Sequence, residues 1–143
     1  MRSKVGMGPM SGAFICEHEG PGTAQGYLTK KGRLRKSWKK RFFVLTRTGR
    51  FNYYSESLKL GILVDRKKKG ELFLRPDTTT VRSIPGKDLD FCVQTPTRIL
   101  HLRAESLKEK EAWISCLRFH TNPEEEHESE DIFRSSIDNL PPR

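Results

Sequence analysis

GYLTKKGRLRKSWKKRFFVLT, residues 26–46, contains two short apolar runs on either side of a basic segment. The runs, residues 25–29 and 38–46, are rich in aromatic and β-branched residues, which favour strands. The segment between them, residues 30–37, contains Gly32 and five cations, a composition typical of a turn. The stretch therefore predicts an antiparallel β-hairpin with a basic connection.

Further strand-like runs follow the hairpin at short, regular intervals. They alternate polar and apolar residues or are rich in β-branched ones, and prolines separate several of them. The runs cover residues 50–55, 70–74, 79–84, 91–94 and 98–103. Residues 56–69 are predicted to form a long connection, in which the largely apolar residues 60–64 are a candidate for an extra strand.

The sequence changes character after the last of these runs. Ser106 begins an S-x-x-E capping box, and behind it Leu107, Trp113 and Leu117 recur at helical spacing up to about residue 120. Trp113 is expected to fill the core. The sequence thus predicts a mostly β fold, a seven-stranded antiparallel barrel or sandwich capped by one C-terminal α-helix.

Composition indicates a single folded body between two tails. The chain of 143 residues is 34% hydrophobic and 31% charged, which suits one compact domain. Gly, Pro and Ser crowd residues 1–24, which are expected to be a flexible N-terminal tail. Residues 121–143 carry seven acids against two arginines and are expected to be an acidic, disordered C-terminal tail. The domain is therefore assigned to residues 25–120.

The formal net charge of +9 is unevenly distributed, since residues 20–55 contain ten lysines and arginines and no acid. Such a surface predicts anionic partners, namely phospholipid headgroups, nucleic acid or acidic protein segments. No apolar run approaches the ~20 residues of a membrane-spanning helix. Cys16, Cys92 and Cys116 are odd in number and lack a CxxC pair, so neither a disulfide framework nor a zinc site is expected.

The sequence gives no indication of catalysis. Its four histidines form no constellation with a nucleophile, and no glycine-rich phosphate loop or carboxylate pair follows a predicted strand-to-helix turn. We therefore expect a protein that is not an enzyme and that has no cofactor and no metal site.

The predicted hairpin and helix, taken together, resemble the pleckstrin-homology (PH) family. Three motifs carry the resemblance, which covers residues 25–120 and implies a PH-type barrel. They are Gly26-Tyr27-Leu28 followed by Lys30, the run from Trp38 to Leu45, and Ala112-Trp113-Ile114 with Leu117. Within the family, residues 26–45 are most similar to the cytohesins and to the dual adaptor of phosphotyrosine and 3-phosphoinositides, which bind 3-phosphorylated inositol lipids.

The resemblance implies a phosphoinositide headgroup site at the mouth of the barrel. Alternation along a strand places Lys39 and Arg41 on one face, where arginine can bind phosphate bidentately and lysine acts as a mobile charge. Gly32 is expected to permit unusual backbone angles in the adjoining loop. The implied ligand-binding residues are Lys30, Lys39, Arg41, Tyr53 and Lys69, with Lys67 or Lys68 as alternatives to Lys69, and the supporting basic loop is Lys31, Arg33, Arg35 and Lys36.

These residues imply a phosphoinositide-binding adaptor module. We expect a cytoplasmic monomer that is reversibly recruited to the plasma membrane by phosphatidylinositol 3,4,5-trisphosphate or the 3,4-bisphosphate. A PH domain that binds a protein partner, with weak or no lipid specificity, is the alternative, because a fold does not fix a function. Nucleic acid is a third candidate for the basic run, but the K-x-R pair beside a predicted turn favours lipid.

Overall fold

The structure is a computed structural model that describes residues 15–16 and 20–122. Within this part of the chain, seven antiparallel strands precede a single helix, which confirms the predicted fold class. A further two-residue strand, Ile15–Cys16, pairs with the beginning of the first strand. Most of both predicted tails lies outside the described residues. The elements are β1 (Ala24–Lys31), β2 (Trp38–Leu45), β3 (Arg50–Lys59), β4 (Ile62–Phe73), β5 (Thr80–Ser83), β6 (Asp90–Gln94), β7 (Ile99–Arg103) and α1 (Leu107–Thr121).

The strands form one antiparallel sheet in the order β4-β3-β2-β1-β7-β6-β5. Strands that follow each other in this order are also sequence neighbours, except for β1 and β7. These two pair through Thr29 opposite Arg103 and Lys30 opposite Leu102. The pairing joins the first four strands to the last three, so that the sheet wraps around one core.

Three connections lie at the same end of this sheet, because successive antiparallel strands reverse direction. They are residues 32–37 between β1 and β2, residues 60–61 between β3 and β4, and residues 95–98 between β6 and β7. We call this the open end. The helix packs towards the other end, where the Trp113 and Phe51 rings lie 5.8 Å apart at the start of β3.

β3 and β4 extend further than the sequence predicted. Residues 56–69, expected to be a long connection, continue the two strands into one hairpin that turns at residues 60–61. Glu56 ties this hairpin to β1, because its carboxylate accepts hydrogen bonds from Tyr27 Oη at 2.7 Å and from Arg66 Nε at 3.0 Å. Polar contacts of this kind leave no alternating apolar pattern, so the prediction of a connection was wrong here.

The core lies between the inner face of the sheet and α1. Leu28, Phe43 and Leu117 are buried there, and Trp113 is 0% exposed, which confirms its predicted place in the core. Leu107 is 53% exposed, so the predicted apolar face of α1 does not include the first turn. Periodicity identifies the face of a helix but not the point at which packing begins.

The helix begins where the sequence predicted. Ser106 Oγ accepts a hydrogen bond from the Glu109 backbone N–H at 3.1 Å, which is the N-cap half of a capping box. At the other end, the Asn122 N–H donates to the Arg118 carbonyl at 2.7 Å. The capping box thus sets the start of α1, and the Asn122 hydrogen bond closes its end.

The cysteines differ from the expectation. Cys116 is disulfide-bonded, whereas Cys92 is a buried free thiol. The expectation of no disulfide was therefore wrong at Cys116, because pairing depends on proximity in the fold, which sequence spacing does not report. Within residues 20–122, no group of three or more ligating side chains is arranged to hold a metal ion. No helix in the described part of the chain has both the length and the apolar character needed to span a bilayer.

A buried lysine attaches α1 to the loop before β6. Lys110 is 5% exposed, and its Nζ donates to the carbonyls of Asp88 at 2.8 Å and Lys87 at 3.5 Å. We expect Lys110→Met to lower the free energy of unfolding by about 1–3 kcal/mol, because both carbonyls lose a charged donor. Lys108→Met, exposed on the same helix, is the matched control and should change it by less than about 0.5 kcal/mol. Urea denaturation measures both, and equal effects would contradict the anchoring role.

Candidate functional site

The core-facing rows of β1 and β2 change from apolar to basic as they approach the open end. On β2, Phe43 is buried, and Arg41 and Lys39 follow on the same face towards the rim. On β1, buried Leu28 is followed by Lys30 in the same way. The register pairs Lys30 with Lys39 and Leu28 with Arg41. Lys30, Lys39 and Arg41 therefore lie close together where the core ends.

A cavity of about 180 Å³ lies between these strands and the β1–β2 loop. Four of its lining side chains are cationic, and no carboxylate is present among the described residues that line it. A concave surface of one charge sign attracts and concentrates ions of the opposite sign. The lining residues are Lys30, Gly32, Arg35, Ser37, Lys39 and Arg41.

Lys30 is half-buried among other cations. Burial lowers the pKa of Lys30, and the charges of Arg98, Arg41 and Arg33 lower it further. Its ammonium group lies 5.1 Å from the centroid of the Tyr53 ring. An anion bound at this position would offset the repulsion between the cations and raise the pKa of Lys30 again.

Arg98 joins the cluster from the β6–β7 turn, although no sequence motif predicted it as a site residue. Its Nη2 donates to Tyr53 Oη at 3.1 Å, whereas its Nε is buried and has no hydrogen-bond partner within residues 20–122. Such a group loses its hydration without compensation unless a ligand accepts its hydrogen bond. The only sequence signal was a base two residues after Pro96. The position of Arg98 in the sequence points to the site only when the topology shows that the β6–β7 turn lies at the open end.

Tyr53 lies beneath the cavity rather than in its lining. The residue is 5% exposed, and its hydroxyl and ring contact Arg98 and Lys30 respectively. Its ring lies across Gly70, the opposite residue on β4, where any Cβ would overlap the ring. Tyr53 therefore supports the cation cluster from below.

The predicted fifth residue, Lys69, is not among the residues that line the cavity. The β3–β4 register shifts between Tyr53 and Tyr54, and Lys69 is the extra, exposed residue of this bulge. Lys67 and Lys68, the predicted alternatives to Lys69, do not line the cavity either. Lys68 Nζ is bound to Glu71 at 2.8 Å, and Lys67 is exposed.

The supporting basic loop is divided between two cavities. Arg35 lines the cavity described above, and Arg33 acts on it through its charge, which lowers the pKa of Lys30. Lys31 lines a second cavity on the other side of the loop. Lys36 is exposed and lines neither cavity.

Gly32 permits the tight closure of the β1–β2 loop. Its N–H donates to the Ser37 carbonyl at 2.8 Å. The φ angle of Gly32 is not among the positive values of the described chain, so the residue does not occupy the left-handed region. The requirement is one of space, since a Cβ at this position would overlap the Arg35 carbonyl oxygen.

The second cavity, of about 260 Å³, is larger, but its described lining includes a carboxylate, Asp90. Trp38 lies in it with the guanidinium of Arg103 4.0 Å from the ring centroid. Arg103 Nε donates to Asp90 Oδ1 at 2.7 Å, and this hydrogen bonding lowers the pKa of Asp90. The first cavity is therefore the better site for an anion.

The chain belongs to the PH domain family, because the PH domain model matches residues 23–122. Switch-associated protein 70 of Mus musculus is 34% identical over 96 residues, which are 65% of this chain and 15% of that protein. The RAC family serine/threonine-protein kinase homolog of Dictyostelium discoideum is 34% identical over 96 residues, or 65% of this chain and 20% of the kinase homolog. The chain thus spans about 15% of the length of the first curated relatives it matches. The shared part is a non-catalytic module that occurs in proteins of different kinds.

Solved structures give the same family. The C-terminal PH domain of pleckstrin in complex with D-myo-Ins(1,2,3,4,5)P5 is 27% identical, with a TM-score of 0.55 over 68% of this chain and 96% of that one. The complex of the same domain with D-myo-Ins(1,2,3,5,6)P5 is 25% identical, with a TM-score of 0.57 over 79% and 100% of the two chains. The predicted family is confirmed. The finer similarity to the cytohesins and the dual adaptor stays a prediction.

The coupling between Arg98 and Lys30 can be tested directly. Because the charge of Arg98 lowers the pKa of Lys30, Arg98→Met should raise that pKa, although burial, the larger cause, persists. Arg82→Met is the control, since Arg82 is exposed on β5 and bound to Gln94. NMR titration of the Lys30 amine measures the change. A Lys30 pKa that is equally insensitive to both substitutions would show that the cation cluster does not exist in solution.

Proposed function

We propose that this PH domain binds the phosphorylated headgroup of an inositol lipid and so acts as a membrane-recruitment adaptor. The observation that carries the proposal is the convergence of Lys30, Lys39 and Arg41 on one cavity whose described lining has no acid. A phosphorylated inositol ring presents several dianionic groups within a few ångströms of each other. A cluster of cations that repel each other is stabilised by such a ligand.

Each cation has a separate role in this proposal. Arg41 Nη1 donates to the Lys40 carbonyl at 3.1 Å, which orients the guanidinium and leaves further N–H groups for phosphate oxygens. Lys30 and Lys39 add mobile charges from two adjacent strands. Arg98 is not among the described residues that line the cavity, but its charge acts on Lys30 and its guanidinium donates to Tyr53. The ligand is thus held between β1, β2 and the loop that joins them.

The finer proposal is a preference for 3-phosphorylated lipids, the 3,4,5-trisphosphate or the 3,4-bisphosphate. The resemblance of residues 26–45 to the cytohesins and the dual adaptor supports it. Both inositol phosphates bound to the pleckstrin domain also carry a 3-phosphate. With this preference, the protein would be a cytoplasmic monomer that moves to the inner face of the plasma membrane when phosphoinositide 3-kinase is active.

Liposome binding tests the proposal. We expect Arg41→Ala to weaken binding to vesicles that contain the 3,4,5-trisphosphate by about tenfold or more, because a charged hydrogen-bond donor is lost. Arg47→Ala removes the same charge from the β2–β3 turn at the other end of the sheet and should bind nearly as well as the wild type. Vesicles with the 3,4-bisphosphate, the 4,5-bisphosphate or phosphatidylserine alone measure the preference.

Three outcomes would contradict the proposal. Equal binding by the wild type and Arg41→Ala would exclude the cavity as the headgroup site. A chain that ignores all liposomes but binds a defined protein would be the protein-interaction alternative. Steeply salt-dependent binding to DNA or RNA, without binding to liposomes, would indicate a nucleic-acid ligand.

A further inference from the structure

The tip of the β3–β4 hairpin, residues 58–64, is apolar on both faces. The register pairs Leu58 with Leu63 and Lys59 with Ile62, and successive residues of a strand point to opposite sides. Large apolar side chains therefore surround the tip instead of forming one packing face. Their exposed fractions are 60% for Leu58, 100% for Leu60, 67% for Ile62, 43% for Leu63 and 53% for Val64.

Leu60 has an unfavourable backbone conformation at the apex. Its φ angle is +54°, in the left-handed region, and Gly61 follows with φ +79°. Leucine is disfavoured in this region, whereas Asn-Gly is the preferred sequence for such a two-residue turn. Leu60 is fully exposed, so packing against the described residues does not compensate the cost. Backbone strain of this kind, where the fold gains nothing from it, indicates a role for the side chain outside the domain.

Basic side chains follow immediately behind the apolar tip. Within residues 56–69 there are five cations and two acids. One of the acids, Glu56, is neutralised by Arg66, whose Nε lies 3.0 Å from the carboxylate. Arg66 and Lys68 are paired with Glu56 and Glu71, whereas the three remaining lysines form no ion pair with the described residues. We call these three, Lys59, Lys67 and Lys69, the basic belt.

An apolar apex with a basic belt behind it has the profile of an anionic bilayer, in which hydrocarbon lies beneath negatively charged headgroups. A strand rises about 3.3 Å per residue, so Leu60 extends roughly 7 Å beyond Leu58. This reach matches the ~5–10 Å to which interfacial segments are buried at the headgroup–acyl boundary. Lys59 can keep its ammonium among the headgroups because its methylene stem is long and apolar.

The position of the tip in the fold agrees with this profile. Residues 60–61 lie at the open end, the same end as the loop that lines the cation cavity. Leu34, in that loop, is 95% exposed. The hairpin tip and the cavity thus lie at the same end of the sheet.

We propose that the hairpin tip inserts into the headgroup–acyl boundary of an anionic bilayer and that the basic belt binds the surrounding lipid phosphates. The contact does not require an inositol headgroup, so it goes beyond the proposed function. A protein partner or a second copy of the chain would cover one face of the tip and leave the other in water. Hydrocarbon covers both.

The first experiment uses the full chain and vesicles of phosphatidylcholine with a fifth of phosphatidylserine, without inositol lipid. We expect Leu60→Asn to weaken binding to these vesicles by about tenfold. The substitution creates Asn-Gly at a turn that prefers it, so the melting temperature should stay equal or rise. Misfolding would lower both quantities, whereas loss of insertion lowers binding alone. Leu107→Gln, on the 53% exposed first residue of α1, is the matched control and should bind as the wild type does.

A second experiment measures how deeply the hairpin tip enters the bilayer. Ile62→Trp places a fluorophore at the tip, and phosphatidylcholine brominated on its acyl chains should quench that fluorophore more strongly than it quenches the wild-type tryptophans.

Binding of soluble inositol hexakisphosphate, which needs the headgroup site but no bilayer, separates this proposal from the proposed function. Leu60→Asn should bind inositol hexakisphosphate as the wild type does, whereas Arg41→Ala should no longer bind it. Failure of the headgroup site would thus appear in the soluble assay and leave the vesicle assay informative.

Three results would overturn the insertion proposal. The first is equal binding of Leu60→Asn and the wild type to phosphatidylserine vesicles. The second is no difference in quenching between Ile62→Trp and the wild type. The third is concentration-dependent association of the wild type in sedimentation that Leu60→Asn abolishes, since this would make the tip an interface between copies of the chain.

Discussion

The register between β1 and β2 is the constraint on which the site depends. It places Lys30 opposite Lys39 and Leu28 opposite Arg41. A shift of one residue would turn the two cations of β2 to the outer face and expose buried Phe43 to water. Burial of the apolar rows therefore fixes the register, and the register holds the cations together against their mutual repulsion. Burial lowers the pKa of Lys30, and the charges of Arg98, Arg41 and Arg33 lower it further.

The parts of the fold that could be predicted have local signals. The alternation in residues 38–45 identifies β2 and the faces of its side chains, and an S-x-x-E box with apolar helical spacing identifies α1. The three cations on adjacent strands followed from the same alternation. These features depend on neighbours in sequence or on one hairpin, so a pattern can report them.

The parts that were missed depend on contacts between distant residues. Arg98 becomes part of the site because it approaches Tyr53, 45 positions away, across the sheet. The long β3–β4 hairpin is held to β1 by Glu56, and a charged strand of this kind has no apolar alternation. Gly32 illustrates a different difficulty. The sequence showed that a glycine was needed in the loop, but only the position of the Arg35 carbonyl shows that the reason is space.

Strand β4 also has a consequence for the behaviour of the chain in concentrated solution. In the described part of the chain, β4 ends the sheet order, so one of its sides faces no neighbouring strand. Unpaired strand edges are templates for fibre growth, but residues 65–69 form an unbroken charged stretch along this one. Two molecules that approached edge to edge would bring lysine against lysine. Because this barrier is electrostatic, added salt or a soluble polyanion would weaken it, and colloidal stability would then depend on the ions present rather than on the fold.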